Sequence, residues 1–327
     1  MAIYVGTASW TDPEFIKAGW YPPEVKYDAA ARLRYYADHF PLVEVNATFY
    51  ALPSLRTVEN WTERTPDRFR FVVKAHQVIS GHRSDPSRLP GPLRTLPFAA
   101  DARGHIVRPS RELRDAAIDT LLEALGPMGA KLEAILLQLP PSLACGDAQR
   151  AEIARIINRF APVRVAVEFR HRSWVTGPAR EATMAMLADR GAAYVCVDAP
   201  RTEAMSAMPP LVEITCPELG YLRLHGRNAD TWHGSRSVAE RFNYRYAPEE
   251  LDEFVAPVVQ MSKRVEDVVV VFNNNAEDYA LRNAGEFQKM VANVRSNFGV
   301  APEQAARADW CAPRPPPGRQ PPLPATR

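Results

Sequence analysis

The sequence predicts a single (β/α)8 barrel of the TIM type, a parallel eight-stranded sheet surrounded by helices. Eight short apolar runs, mostly β-branched, recur along the 327 residues. Helical patterns lie between most of them, and polar side chains gather where the runs end. An open doubly wound sheet is the alternative; eight strand–helix units favour closure.

The runs begin with IYVGT at Ile3, LVEVN at Leu42, FRFVVK at Phe69 and AILLQLP at Ala134. They continue with VRVAVEF at Val163, AAYVCVD at Ala192, GYLRLH at Gly220 and VVVVF at Val268. Each has the length and composition of a strand. Between them, AARLRYYADHF ends before Pro41, and Ser54 caps SLRTVENWTERT. Ser110 caps a helix that runs to Leu125, with Gly126 as its stop. Asp147 is read as the cap of a helix whose Ile153, Ile156, Ile157 and Phe160 form one apolar stripe. Helices are expected over 178–190, stopped by Gly191, over 248–263 and over 279–296. The Pro-rich stretch 199–219 reads as loop. Residues 80–109, rich in Gly, Pro, Arg and His, read as a long loop inserted over the third strand end. The barrel is expected over 1–300, followed by a Pro-rich tail (301–327) that cannot build a core and is expected to be disordered.

Hydrophobic content of 46% and charged content of 24% are ordinary for a globular chain, and the net charge of +2 gives no general pull toward nucleic acid. Four cysteines without a C-x-x-C pair suit neither a disulfide framework nor a zinc site, and read as reduced thiols. No run approaches the roughly 18 apolar residues of a spanning helix, and MAIYVGTASW lacks a signal-peptide pattern. A cytoplasmic protein without membrane contact is expected.

Side chains alternate between the two faces of a strand. Glu44 and Asn46 share one parity on the second strand, Lys74 and His76 on the third, Glu168 and Arg170 across the fifth, and Arg223 and His225 across the seventh. Gln138 sits near the end of the fourth, Asp198 ends the sixth, and Asn273 and Asn274 follow the eighth. The opposite parity is apolar: Val43 and Val45, Val165 and Val167, Leu222 and Leu224. Charges buried against helices would cost several kcal/mol each, so the polar set is expected to face the barrel axis at the carboxyl end, where such barrels bind ligands. A self-satisfied ion-pair network plugging the barrel would leave the same pattern.

The set allows several chemistries. Two carboxylates can act as acid and base on a glycoside. A desolvated Lys74 can form a Schiff base. Arg170 and Arg223 can clamp a phosphate or carboxylate. Glu44, Glu168, Asp198 and His225 could hold a divalent metal, but three nearby cations compete for those carboxylates, so neither metal nor cofactor is expected. Aromatic residues at strand-end loops, Trp10 and Tyr50 among them, either stack on a ligand or pack the rim. The dinucleotide, P-loop, zincin and hydrolase-elbow motifs are absent.

The chain resembles the YecE-like family, domain of unknown function 72. The resemblance is carried by VGTASW at Val5, VEVNATFYALPS at Val43, WTERTPDRFRFVVKA at Trp61 and LLQLPPS at Leu136. It continues through VAVEFRHRSW at Val165, YLRLHGRN at Tyr221, YRYAPEEL at Tyr244 and VFNNNAEDYALRNA at Val271. It implies a TIM-barrel-like fold and supplies no reaction. The family's polar motifs fall on Glu44, Asn46, Lys74, Gln138, Glu168, Arg170, His171, Arg223, His225, Asn273 and Asn274. After Lys74 the family tends to carry an Ile-Thr-His stretch; here VISGHR places His82 one residue late, and no role is carried to it.

The first expectation is an enzyme using general acid–base chemistry on a small anionic ligand, such as a phosphorylated sugar or nucleotide fragment. Glu168 would be its acid or base with Lys74 or His225 as partner, and Glu44 and Asp198 are further catalytic candidates. Losing Glu168 should abolish turnover but keep the fold. Arg170 and Arg223 would hold the anion, with Asn46, Gln138, His171, Asn273, Asn274, Trp10 and Tyr50 around the ligand. The alternatives are a metabolite-sensing protein without turnover and, weaker, a metal-dependent or nucleic-acid-processing hydrolase.

Overall fold

Eight parallel strands, each buried on both faces, close into a barrel in chain order in the computed structural model, which describes residues 1–202, 204–230, 232 and 238–297. The strands are β1 (Ala2–Thr7), β2 (Leu42–Val45), β3 (Arg70–Lys74) and β4 (Leu132–Gln138), then β5 (Val165–Glu168), β6 (Ala193–Asp198), β7 (Leu219–Leu224) and β8 (Asp267–Phe272). Closure comes from β1, which pairs with β8 from Ala2↔Asp267 to Thr7↔Phe272 and with β2 at Gly6↔Leu42. No barrel edge is left to pair with another chain.

Among the described residues seven longer helices cover the outside: α1 (Ala29–His39), α2 (Leu55–Glu63), α3 (Arg111–Leu125), α4 (Asp147–Arg159), α5 (Pro178–Ala188), α6 (Pro248–Ser262) and α7 (Tyr279–Asn297). Ser54 and Ser110 cap α2 and α3 by accepting from the Thr57 and Leu113 amides. Two cap readings are corrected. Asp147 lies inside α4, whose N-cap is Gly146. Gly126 keeps helical angles and passes α3 into a 3-10 turn, Gly126–Lys131, so it is not a left-handed stop. Among the described residues between β6 and β7 there is no helix, as the prolines imply.

Two separate apolar clusters follow from the alternation. The larger lies between strands and helices and holds Val43, Val45, Val167, Leu222 and Leu224. The smaller fills the barrel interior with Tyr4, Leu42, Val72, Ala134, Leu136, Ala166, Val195, Tyr221, Val269 and Val271. Toward the carboxyl ends the inward positions turn polar, with Glu44, Lys74, Glu168 and Arg223 all buried there.

The segment 80–109 is more ordered than a loop. It carries a helical turn, Gly91–Arg94, and an antiparallel hairpin of Phe98–Ala100 with Ile106–Pro109. Leu89, Leu93 and Ile106 bury themselves in the outer core. Three-residue strands and one-turn helices carry too little periodicity to be read from sequence. The tail 301–327 lies outside the described residues. Among those residues no helix is long and apolar enough to cross a membrane.

Candidate functional site

The axis is crossed by a connected set of charges. Arg223, on β7, donates from Nη2 to Glu44 Oε1 at 2.6 Å and from Nε to Glu44 Oε2 at 3.0 Å. It also donates from Nη1 to Glu168 Oε2 at 2.8 Å. One guanidinium thus bridges carboxylates from β2 and β5 on opposite walls. Tyr221 donates to Glu44 Oε2 at 2.7 Å, and the Gln138 amide donates to Glu168 Oε1 at 2.8 Å. Asn273 donates to His225 Nδ1 at 2.9 Å, leaving Nε2–H to face Glu168 Oε1 at 3.1 Å. Glu44, Glu168 and His225 are fully buried and Arg223 nearly so. Every charge has an opposite partner, which is what burial at this depth requires.

This environment sets the protonation states. Burial alone would raise the Glu168 pKa, but Arg223, His225 and Arg170 together hold it well below the ordinary carboxylate value. Burial pushes His225 down to about 3, so its imidazole is neutral at neutral pH. Both groups are locked: Glu168 uses both oxygens on protein donors, and His225 uses both ring nitrogens.

Above this network lies a cavity of about 450 Å3 at the carboxyl ends of the strands. Its floor and walls include Asn46, Lys74, Gln138, Arg170, Arg223 and Asn273, and Tyr50 stands at the exposed rim. Among the described residues four cations line it (Lys74, Arg170, Arg223 and Arg241) against one carboxylate, Asp12. Asp12 already accepts from the Glu14 amide. The Arg170 guanidinium lies 5.3 Å from the Trp232 ring and reaches Glu168 at 3.3 Å.

Lys74 differs from its neighbours. Its backbone is fixed by the Thr48 hydroxyl, which donates to the Lys74 carbonyl at 2.7 Å. Its Nζ sits 4.3 Å from the centre of the Phe49 ring and, among the described residues, has no hydrogen bond or ion pair. Burial, then Arg223 and Arg170, bring its pKa down to about 7 against the opposing pull of Glu44 and Glu168. Among the described lining residues it is the group whose pKa falls near neutrality.

Not every expected residue reaches the cavity, and strand parity explains three that do not. Asp198 is on the helix-facing side of β6; it accepts from Tyr246 at 2.6 Å and pairs with Arg227 at 3.0 Å. Asn274 has the outward parity after β8 and donates to the Tyr244 carbonyl and to Asn283. His171 turns away to its own loop, where Nδ1 meets Ser173 Oγ at 2.7 Å. Trp10 is buried edge-on against Trp61 as rim packing. His76, also fully buried, caps the turn that starts at Gln77 through its Nδ1. Conversely His82 lines the cavity, its ring 4.9 Å from Phe49 and its Nδ1 2.8 Å from Ser80 Oγ; burial pushes it down to about 3. Sequence reasoning missed Tyr221, Asn275 and Arg241. Tyr221 shares the inward parity of Arg223 and Asn275 that of Asn273, so both were findable; Arg241 carried no such signal.

Among the described residues no three His, Cys, Asp or Glu side chains are grouped to hold a metal ion. A second cavity of about 410 Å3 opens at the amino ends of the strands, but its charges pair internally: Arg164 meets Glu133 at 2.9 Å and Asp267 at 3.4 Å.

Fold and site define a TIM-type barrel whose axis is closed by an internal ion-pair network beneath a cationic cavity. The chain belongs to the DUF72 family, proteins of unknown function, whose family pattern matches residues 4–308. It is 30% identical over 308 residues to the UPF0759 protein YunF of Bacillus subtilis strain 168, covering 92% of this chain and 98% of YunF. Among solved structures, a DUF72 family protein of Enterococcus faecalis V583 shares 27% identity with a TM-score of 0.71 over 88% of this chain and 95% of that one. A DUF72 family protein of Thermotoga maritima MSB8 shares 27% identity with a TM-score of 0.70 over 89% of this chain and 99% of that one.

Proposed function

We propose that the protein is an enzyme that holds a small polar anion, of the phosphorylated-sugar kind, in the carboxyl-end cavity and moves protons on it through Lys74. The observation that carries this is the Lys74 amine, without a hydrogen bond or ion pair among the described residues and open to a cavity lined by guanidinium groups. An amine with a pKa of about 7 is present in both forms at neutral pH, as an acid–base catalyst requires. Arg170 and Arg241 face the cavity with donors for a phosphate or carboxylate. The acid–base role expected of Glu168 passes to Lys74, because Glu168 lies under the floor with both oxygens engaged. Glu168 then serves to hold Arg223 and His225 in place.

A thermal-shift series tests the anion site. A ligand at a hundred times its dissociation constant stabilises by about 2.7 kcal/mol, or roughly 5 °C for a chain this long. Inorganic phosphate and glucose 6-phosphate should shift the wild type, glucose should not, and Arg170→Gln should lose the shift. An equal response to glucose, or full retention in Arg170→Gln, would remove the anion site. A second reading, binding without turnover, is favoured by the way Glu44, Glu168, Arg223 and His225 satisfy one another. It separates from the first on whether a bound ligand changes covalently, read by NMR during incubation.

A further inference from the structure

We infer that Lys74 is a nucleophilic lysine that forms an imine with a small carbonyl compound bearing a carboxylate or phosphate. This rests on the reading of the cavity as an anion site and names the class of anion that reacts there.

Four observations carry it. Lys74 ends β3, on a rigid wall of the barrel, with its carbonyl held by Thr48, so the amine is presented from fixed backbone. Its Nζ has an aromatic face as neighbour and the open cavity ahead. The chain prefers arginine strongly: of 40 Lys and Arg residues only six are lysine. A site needing only positive charge would be served by arginine, which stays protonated; a nucleophile needs an amine that can lose its proton. The other cations of the wall, Arg170 and Arg241, are placed to receive the anionic end of a ligand whose carbonyl meets Lys74.

The groups around the amine suit the step. Arg223 and Arg170 favour its neutral form, neighbouring His82 is itself neutral, and Glu44 and Glu168 lie within electrostatic reach to offset the charge of an iminium. The free Nζ lone pair adds to the carbonyl carbon as the C=O π pair moves to oxygen. The Nζ–H proton passes to that oxygen through solvent, giving a neutral carbinolamine. Uptake of one solvent proton expels the oxygen as water and leaves the protonated imine. Nothing is oxidised or reduced.

The test traps that imine with sodium cyanoborohydride, using glyoxylate and pyridoxal 5′-phosphate as carbonyl probes and peptide mass mapping as readout. At limiting probe the adduct should map to Lys74 over the other five lysines, at least tenfold. Its rate should rise with pH to a midpoint near 7, which needs no variant. Inorganic phosphate should slow it, and Lys74→Arg should remove it while circular dichroism stays unchanged. Adducts spread over surface lysines, or a Lys74 rate still climbing toward pH 10, would overturn the imine. If phosphate still shifts the melting temperature in that case, the anion site stands without it. If phosphate neither shifts melting nor slows trapping, the anion site fails, and this inference with it.

Discussion

At Lys74 two demands conflict, and the conflict can be measured. A buried amine with no counter-ion among the described residues is unfavourable to the fold, yet it is what the proposed chemistry uses. The folded pKa is about 7 and the ordinary value 10.5. Below pH 7 both folded and unfolded chains hold the proton, so the full cost of burying charge is present. Between pH 7 and 10.5 only the unfolded chain holds it, so stability rises with pH and the cost fades. Lys74→Met is therefore expected to stabilise the protein at pH 6, on the order of 1–2 kcal/mol, and by much less at pH 10. Urea unfolding at the two pH values checks this. Equal gains at both, or a loss at pH 6, would mean that Lys74 has a partner in the fold. Alternation along single strands was enough to place Glu44, Lys74, Glu168 and Arg223 on the axis. It could not show that Arg223 would be absorbed by two carboxylates and Lys74 left open, because those partners come from strands far apart in sequence.

The strands were legible because both faces of a parallel barrel strand are apolar, and β-branched runs of that length have few other uses. The capped helices were legible where a side chain does the capping, as at Ser54 and Ser110. Where backbone geometry decides, as at Gly126 and Gly146, composition alone misleads. Close approach of strands is invisible in the same way. Gly6 sits where a Cβ would come within 2.0 Å of the Leu42 carbonyl oxygen, across the β1–β2 seam that closes the barrel. That oxygen belongs to backbone and cannot swing aside. Gly6→Ala is expected to cost about 3 kcal/mol, at the upper end for overpacking. Gly91→Ala, with nothing within 4 Å of its Cβ, serves as control and should change stability little. A urea midpoint for Gly6→Ala matching that of the control would show that the seam has slack.

On the scale of the whole molecule, the axis network ties walls that do not touch. Its members come from β2, β4, β5 and β7 and from the residues just after β7 and β8. Arg223 is the only cation bonded to both carboxylates in the described residues, so its removal leaves Glu44 without a charged partner and Glu168 with only Arg170. Arg223→Met should then cost about 3–5 kcal/mol, the usual result of stranding buried charge, and Glu44→Gln less, since Arg223 keeps Glu168. A network replaced as a unit by neutral groups of similar size is often no less stable than the original, so Arg223→Met combined with Glu44→Gln and Glu168→Gln should recover most of the loss. The recovered barrel should also show a smaller phosphate-induced melting shift, because the Arg223 donor in the cavity floor is gone. Urea unfolding of Arg223→Met, Glu44→Gln and the triple variant, with phosphate melting on each that folds, reads both consequences. A triple variant as unstable as Arg223→Met would mean that hydrogen-bond geometry, not charge balance, secures the axis. A triple variant that folds and responds to phosphate as fully as the wild type would place the anion higher in the cavity, against Arg170 and Arg241 alone.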